Sequence, residues 1–203
     1  MAKSKSNAFK NIAVLFVVAL VSVALLAVLN QVTKDKIEAA ETEARNEVYR
    51  SVFADATFEE LEAFSAENSS YAPEDESITI NAVLQANDKS GNKAGYVFDV
   101  TSSEGYGGDV RIALGITNDG EITAFKVISA SETPGLGEKS KEDEYASQFS
   151  GLKADKVTFV KGGGANRDNN EIDAIGGATI TTTATTNAVN AAIDMFNTVL
   201  KGE

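Results

Sequence analysis

Cysteine and histidine are both absent from the sequence of 203 residues. Without cysteine, the chain forms no disulfide, no cysteine-ligated iron–sulfur cluster and no zinc–thiolate site. Without histidine, it has no Ser-His-Asp triad and no imidazole metal ligand. Carboxylates, lysines, tyrosines and hydroxyls remain. We therefore predict no metal site, and any redox function requires an acquired organic cofactor.

Positive charge is also scarce. The chain has 18 Lys and Arg against 30 Asp and Glu, a formal net charge of -12. The first 30 residues contain three lysines and no acid, so the acidity belongs to the remainder of the chain. Such a domain repels phosphate backbones, and nucleic acid is not an expected partner. The length suits one membrane segment and one domain of ordinary size.

An apolar run covers residues 12–29, with Ser22 as its one polar member. Eighteen helical residues rise roughly 27 Å, enough to cross a hydrocarbon core. A cleaved signal peptide is the competing interpretation, but the run is longer than a typical signal core and no small-x-small site follows Leu29. We predict a retained anchor. Three lysines and the terminal amine precede it and two lysines follow it, which favours a cytoplasmic terminus at 1–11 and an extracytoplasmic domain.

After the anchor, residues 31–53 are rich in Ala, Glu and Lys and contain neither Gly nor Pro, which predicts a helix. This helix continues the anchor as a stalk. The stretch 54–77 is acidic and contains Pro73, and we expect it to be irregular. The predicted organisation is therefore a stalk and connector over 30–77 and a domain over 78–203.

Period-two alternation and short apolar runs between turn residues predict five strands in the domain. They lie at 78–84, 96–100, 110–116, 122–128 and 157–160. An Asn-Asp-Gly hairpin turn joins the third and fourth. Residues 142–149 predict a short helix, 161–170 a polar loop, and apolar residues spaced three and four apart over 188–200 a final helix. The predicted fold class is α+β, an antiparallel sheet with helices packed on one side.

A glycine-containing segment precedes the final helix, reading Asp-Ala-Ile-Gly-Gly-Ala-Thr-Ile-Thr over 173–181. Gly176 and Gly177 allow a ligand to approach the backbone closely, and small Ala178 leaves room. The helix that begins next presents free N–H groups to anions, beside the hydroxyl of Thr179. These residues indicate an anion-binding turn. An ordinary loop with threonine N-caps explains them equally.

Asp173 to Thr179 resembles the flavinylation signal of the FMN-binding domain family, Asp-x-x-(Ser/Thr/Gly)-Gly-Ala-Thr. The resemblance implies that a flavin transferase takes FMN from FAD and esterifies its phosphate to Thr179, giving phosphothreonyl-FMN. Gly176 stands where Rnf-type subunits more often have Ser or Thr, which removes a hydroxyl but not the attachment. Rival hydroxyls follow at Thr181, Thr182, Thr183, Thr185 and Thr186. Among these threonines, only Thr179 follows Gly-Ala in the order of the signal.

Two upstream segments carry the same resemblance, although each alone is also an ordinary turn. Gly-Tyr-Gly-Gly at 105–108 precedes a strand, as in FMN-binding domains, and Glu-Thr-Pro-Gly-Leu-Gly at 132–137 resembles a second family signature, which in relatives lies against the flavin ring. The resemblance implies a set of cofactor-binding residues around Thr179. They are Tyr106, Gly107, Glu132, Thr133, Pro134, Gly135, Leu136, Gly137, Asp173, Gly176, Gly177, Ala178, Ile180 and Thr181.

Over essentially its whole length the chain resembles the G subunits of Rnf electron-transport complexes. That resemblance implies an FMN electron relay in a cell-membrane translocase that couples ferredoxin and NAD to an ion gradient, with other membrane subunits as partners and no catalytic acid or base in this chain. The related C subunit of the Na-translocating NADH:quinone oxidoreductase is usually longer. The alternatives are a stand-alone extracytoplasmic covalent flavoprotein electron carrier, a C subunit of that Na-translocating type, and a non-redox anchored binding module.

Overall fold

The structure, a computed structural model, describes residues 2–64 and 71–201, with side chains undescribed at 2–8 and at Asp35 and Glu38. It divides into two compact units, 1–45 and 46–203. A single helix, α1, runs over Ala2–Val52. Within it, Phe9–Lys34 is long and apolar enough to cross a membrane by length and composition, with a mean hydropathy of 3.2. The helix is unbroken at both ends of the predicted anchor at 12–29, and the predicted stalk is helical as far as Val52.

The second unit is built on a five-stranded antiparallel sheet in which each strand pairs with the next along the chain. The strands are β1 Thr57–Glu60, β2 Ile78–Asn87, β3 Lys93–Gly105, β4 Gly108–Thr117 and β5 Ile122–Ala130. The four strands predicted between 78 and 128 are confirmed. Gly120 takes a φ of +76° in the predicted turn between β4 and β5, a conformation that glycine adopts without strain.

The prediction of an irregular stretch over 54–77 is wrong for β1. This edge strand pairs with β2 from Thr57 opposite Asn87 to Glu60 opposite Leu84. Its sequence, Thr-Phe-Glu-Glu, has one apolar side chain, and Phe58 packs partly buried against the sheet. Pairing with a neighbour, rather than an alternating pattern of its own, makes this segment a strand. Residues 65–70 of the same stretch lie outside the described residues.

Helices cover both faces of the sheet, whereas the sequence predicted helices on one side. One face packs against α3, Thr179–Met195, and the π-helical turn that follows it at Phe196–Leu200. The other face packs against Tyr49 and Val52 in the last turns of α1. The physical reason is visible in β3, where neighbouring residues Val97 and Phe98 are both fully buried. Neighbouring strand residues point to opposite faces, so both faces require cover.

A buried polar network lies between the end of α1 and the sheet. The carboxylate of Asp99 is fully buried. Its Oδ1 accepts hydrogen bonds from Arg111 Nε at 2.7 Å and from Asn81 Nδ2 at 2.9 Å, and its Oδ2 accepts from Arg111 Nη2 at 2.8 Å and from the Tyr49 hydroxyl at 2.5 Å. Burying a charge is unfavourable unless it is paired and hydrogen-bonded, and four donors meet that requirement here.

A short α-helix and two further strands lie between β5 and α3. A short helix, α2, spans Asp143–Ala146, and β6 Thr158–Val160 pairs with β7 Glu171–Asp173 in a small separate sheet. This pair is parallel, so the predicted antiparallel arrangement holds for the main sheet only. The sequence did not predict β7, which has three residues and follows a polar loop. The predicted α+β class is confirmed.

Candidate functional site

A cavity of about 470 Å³ lies where three segments of the second unit meet. These segments are the β3–β4 turn, the loop after β5 and the start of α3. Val110 of β4 pairs with Ala130, the last residue of β5, so the sheet itself sets the turn beside the loop. The lining residues are Tyr106, Glu132, Thr133, Leu136, Gly137, Gly177, Ala178, Thr179, Ile180 and Thr181. All ten belong to the set predicted from the sequence.

The β3–β4 turn packs tightly against the loop after β5. A Cβ atom at Gly107 would collide with the carbonyl oxygen of Ser131, so this position accepts only glycine at the present spacing. The Gly107 N–H donates to Glu132 Oε1 at 3.4 Å. This close approach leaves Tyr106 at the tip of the turn, 70% exposed, at the edge of the cavity.

The loop after β5 begins with a tight turn. Leu136 N–H donates to the Thr133 carbonyl at 3.1 Å, with Pro134 and Gly135 at the two central positions. Gly135 has a φ of +74°. Proline followed by a glycine at positive φ is typical of a type II turn. The turn places Leu136 at the mouth of the cavity, 43% exposed.

The third wall is the N-terminal end of α3. Ala178 occupies the N-cap position and its side chain makes no capping hydrogen bond. The threonine N-cap expected on the ordinary interpretation of this segment is therefore not present. The first N–H groups of a helix have no partner within it, and they carry the positive end of the helix dipole. Gly177, with a φ of +79°, turns the chain into the helix just before them.

The other threonine hydroxyls of the run are each engaged elsewhere. Thr181 donates to Glu132 Oε2 at 2.9 Å, while the remaining four donate to backbone carbonyls of the helix within 3.0 Å. Those four are Thr182, Thr183, Thr185 and Thr186. Thr179 is half-buried and lines the cavity at the first helical position. The fold thus separates Thr179 from its rivals.

The rim of the cavity is apolar. In the described part of the unit 46–203, the exposed large hydrophobic side chains are Tyr106, Leu136 and Ile180, and all three lie at this cavity. Large apolar side chains that cluster on a surface mark a binding site more often than scattered ones do. The cavity therefore combines an apolar rim with the positive end of a helix.

Comparison with known proteins matches both parts of the chain. Residues 105–194 match the FMN-binding domain family, and residues 1–52 match the RnfG N-terminal region. The G subunit of the Na(+)-translocating ferredoxin:NAD(+) oxidoreductase complex of Acetobacterium woodii is 33% identical over 95% of this chain and 93% of its own length. The chain belongs to the family of Rnf complex G subunits. The G subunit of the ion-translocating oxidoreductase complex of Methanosarcina acetivorans is 30% identical over 91% of this chain and 92% of its own length.

Two solved structures share the fold of this chain. The crystal structure of Shewanella oneidensis NqrC superposes with a TM-score of 0.58 and 17% identity, over 77% of this chain and 96% of that one. The C subunit of the Na(+)-translocating NADH-quinone reductase from Parabacteroides distasonis gives 0.51 and 21%, over 60% and 63%. At these identities the likeness concerns the fold.

The structure does not bring every predicted residue of this Rnf G-type chain into the cavity. The Asp173 carboxylate accepts a hydrogen bond from Ala165 N–H at 2.9 Å. The backbone N–H of Asp173 donates to Gln148 Oε1 at 2.6 Å. Asp173 and Gly176 line a separate polar cavity of about 460 Å³. Gly107, Pro134 and Gly135 shape the walls without lining them. Asp173 ends β7, where strand pairing and the loop before it fix its direction.

Residues behind the site that sequence reasoning missed hold α3 in place. Thr182 Oγ1 accepts from Ile175 N–H at 3.1 Å and closes the turn that leads into the helix. The Tyr145 hydroxyl lies 2.7 Å from Thr185 Oγ1, and burial raises the pKa of Tyr145 to about 12. Both contacts join residues on different elements, and no local pattern signals them.

The residues present fit FMN in this family member. The cavity falls within the roughly 300–1,000 Å³ typical of small-molecule sites. Its apolar rim suits a planar ring, and the uncapped end of α3 suits a phosphate. Among the described residues, no group of three or more Asp or Glu side chains is arranged to hold a metal ion.

Proposed function

We propose that this chain is the electron-relay subunit of an Rnf-type ion-translocating ferredoxin:NAD oxidoreductase, with FMN held by a phosphoester at Thr179. The observation that carries the proposal is the position of one hydroxyl. Thr179 lies at the first position of α3, in a cavity rimmed by Tyr106, Leu136 and Ile180. Bound FMN supplies reversible electron uptake and release, for which this chain has no group of its own.

At the phosphate end, the chain supplies the acceptor and its electrostatic setting. The Thr179 hydroxyl oxygen bonds to the flavin-side phosphorus of FAD, the pyrophosphate P–O bond breaks, and AMP leaves. The hydroxyl proton passes to a base of the flavin transferase or to water. The N–H groups of the first turn of α3 would hold the phosphoester, because an anion is favoured at a helix N-terminus. Gly177 keeps the approach to these groups free of a side chain.

At the ring end, the three rim side chains provide apolar cover and exclude water from part of the ring. Tyr106 offers a flat face for stacking, while Leu136 and Ile180 offer aliphatic contacts. None of these side chains moves a proton, so the chain acts as a carrier and not as a catalyst by itself. Covalent attachment keeps the cofactor with the carrier outside the cell.

The membrane helix places the carrier. In this proposal Phe9–Lys34, which is long and apolar enough by length and composition, crosses the cell membrane, and the lysine bias supports a cytoplasmic N-terminus with the flavin domain outside. The domain accepts and donates electrons through other membrane subunits of the complex. The relatives from Acetobacterium woodii and Methanosarcina acetivorans are named as subunits of such ion-translocating complexes, which supports this assignment.

The test is flavin fluorescence of the full-length chain in a denaturing gel, after co-expression with a flavin transferase that is active on a control substrate. Thr179→Val keeps the side-chain shape and removes the hydroxyl, so we expect complete loss of the fluorescent band. Thr183→Val is the matched control. Thr183 lies one turn further along α3 and its hydroxyl donates to the Thr179 carbonyl, so we expect wild-type fluorescence. A dark wild-type band, or fluorescence that survives in Thr179→Val, contradicts the proposal.

A further inference from the structure

Glu132 is a buried carboxylate between the three walls of the cavity, with 9% of its surface exposed. Each of its oxygens is bonded to a different wall. Oε2 accepts from the Thr181 hydroxyl in the first turn of α3 at 2.9 Å. Oε1 accepts from Gly107 N–H in the β3–β4 turn at 3.4 Å. Glu132 itself belongs to the third wall, the loop after β5.

Two glycines enclose this carboxylate. A Cβ atom at Gly137 would collide with both Glu132 Oε2 and Thr181 Oγ1. A Cβ atom at Gly105 would come within 2.8 Å of Glu132 Oε1, closer than real Cβ contacts. Side chains at positions 105 and 137 would overlap the carboxylate, so the glycines at these positions make room for it.

We propose that Glu132 is a positioning residue, which joins the three walls through its carboxylate and does not bind the cofactor through it. By joining the walls, Glu132 keeps Thr179 and the rim side chains in the geometry that the flavin requires. This consequence rests on the proposed function. Hydrogen bonds to an ionised acceptor are about twice as strong as neutral ones, and low local dielectric strengthens them further. A negative charge beside the first turn of α3 is also favoured by the helix dipole.

The distinctive consequence is coupling between two walls. The Thr181 hydroxyl donates to Glu132 and the β3–β4 turn is bonded to the other oxygen of the same carboxylate, so removal of the hydroxyl loosens the turn through Glu132. Glu132→Gln weakens both contacts directly. Once Glu132 is replaced by Gln, the further change Thr181→Val should therefore have little effect on the β3–β4 turn. Effects of residues that act as one unit are non-additive.

The first experiment needs no cofactor. Hydrogen–deuterium exchange of the β3–β4 turn is measured in the full-length, unloaded chain in detergent for Glu132→Gln, Thr181→Val and the double variant. We expect each single variant to speed exchange by about tenfold, on the scale of one hydrogen bond to a charged group, and the double variant to add little. Thr186→Val is the matched control, because its buried hydroxyl donates to the Thr182 carbonyl at 2.7 Å and its further partner is the Tyr145 hydroxyl. Unchanged exchange in Thr181→Val overturns the proposal.

The second experiment separates positioning from direct contact in the flavin-loaded chain. If Glu132 positions the walls, Glu132→Gln and Thr181→Val shift the visible absorption and midpoint potential of the flavin together, and the double variant shifts them no further. A shift confined to Glu132→Gln shows direct contact and overturns the proposal. A wild-type chain that takes up no flavin contradicts the proposed function alone, because the exchange experiment still decides the role of Glu132.

Discussion

Replacing Tyr49 by phenylalanine removes one donor from the buried network that joins the end of α1 to the sheet. The substitution removes the hydrogen bond that the Tyr49 hydroxyl donates to Asp99 Oδ2, at 2.5 Å, and its hydrogen bond with Arg111. The ring and its apolar contacts remain. The Arg111 pair with Asp99 also remains, so the loss is smaller than the several kcal/mol that removal of a whole partner costs in a buried ion pair.

The magnitude follows from the charge and burial of the acceptor. A hydrogen bond to a charged group contributes about 1.5–3 kcal/mol. For a domain of about 150–250 residues, each kcal/mol lowers the melting temperature by roughly 2–4 °C. We therefore expect Tyr49→Phe to lower the Tm of the unit 46–203 by about 3–12 °C.

The assay is thermal unfolding of the full-length chain in detergent, followed by far-ultraviolet circular dichroism. Tyr71→Phe is the matched control. The Tyr71 hydroxyl also donates to a carboxylate at 2.5 Å, and this carboxylate belongs to Asp194, which is exposed. We expect a smaller loss there, since water replaces an exposed partner. Two results would refute the reasoning that burial of Asp99 makes its network stabilising. One is a Tm for Tyr49→Phe within about 1 °C of wild type, and the other is an equal loss of Tm in both variants.

Two further predictions concern stability. Burial raises the pKa of Tyr145 to about 12, whereas an unfolded tyrosine ionises near about 10. Between these values the unfolded state releases a proton that the folded state retains, so stability falls as pH rises, by about 1.4 kcal/mol per unit. Urea unfolding of Tyr145→Phe should show a shallower decline over this range, and parallel curves would contradict it. A Cβ atom at Gly95 would come within 2.8 Å of a Phe53 ring carbon and closer to the Ile116 carbonyl oxygen, so Gly95→Ala should cost about 1–3 kcal/mol in urea unfolding. An unchanged midpoint would show that the sheet moves to accommodate the methyl group.

Local patterns predicted those elements whose burial is periodic or whose turns demand special residues. The apolar run at 12–29, the hairpin turn before β5 and the apolar stripe of α3 all report structure within a few residues of themselves. The edge strand β1 carries no such pattern, since only Phe58 of its four residues is apolar. Its pairing with β2 joins residues 24 to 30 positions apart in the chain.

The resemblance of these motifs to those of the FMN-binding family, and not composition or periodicity, predicted the residues that line the cavity. The motifs did not predict the direction of each side chain. Asp173 belongs to the predicted signal, yet its carboxylate bonds to Ala165 N–H in the preceding loop. Glu132 lines the cavity, and the motifs did not predict that its two oxygens are bonded to two neighbouring segments.

The sequence by itself determined a long apolar N-terminal helix, an α+β domain and a threonine that follows Gly-Gly-Ala. Those features depend on composition and short-range spacing. Only the tertiary structure decided that the last turns of α1 cover the second face of the sheet. It also decided that, of the two threonines of the run that line the cavity, Thr181 is bonded to Glu132 and Thr179 lies at the first helical position. The reason is that helix phase and sheet pairing direct each side chain, and both are set by contacts between segments distant in the chain.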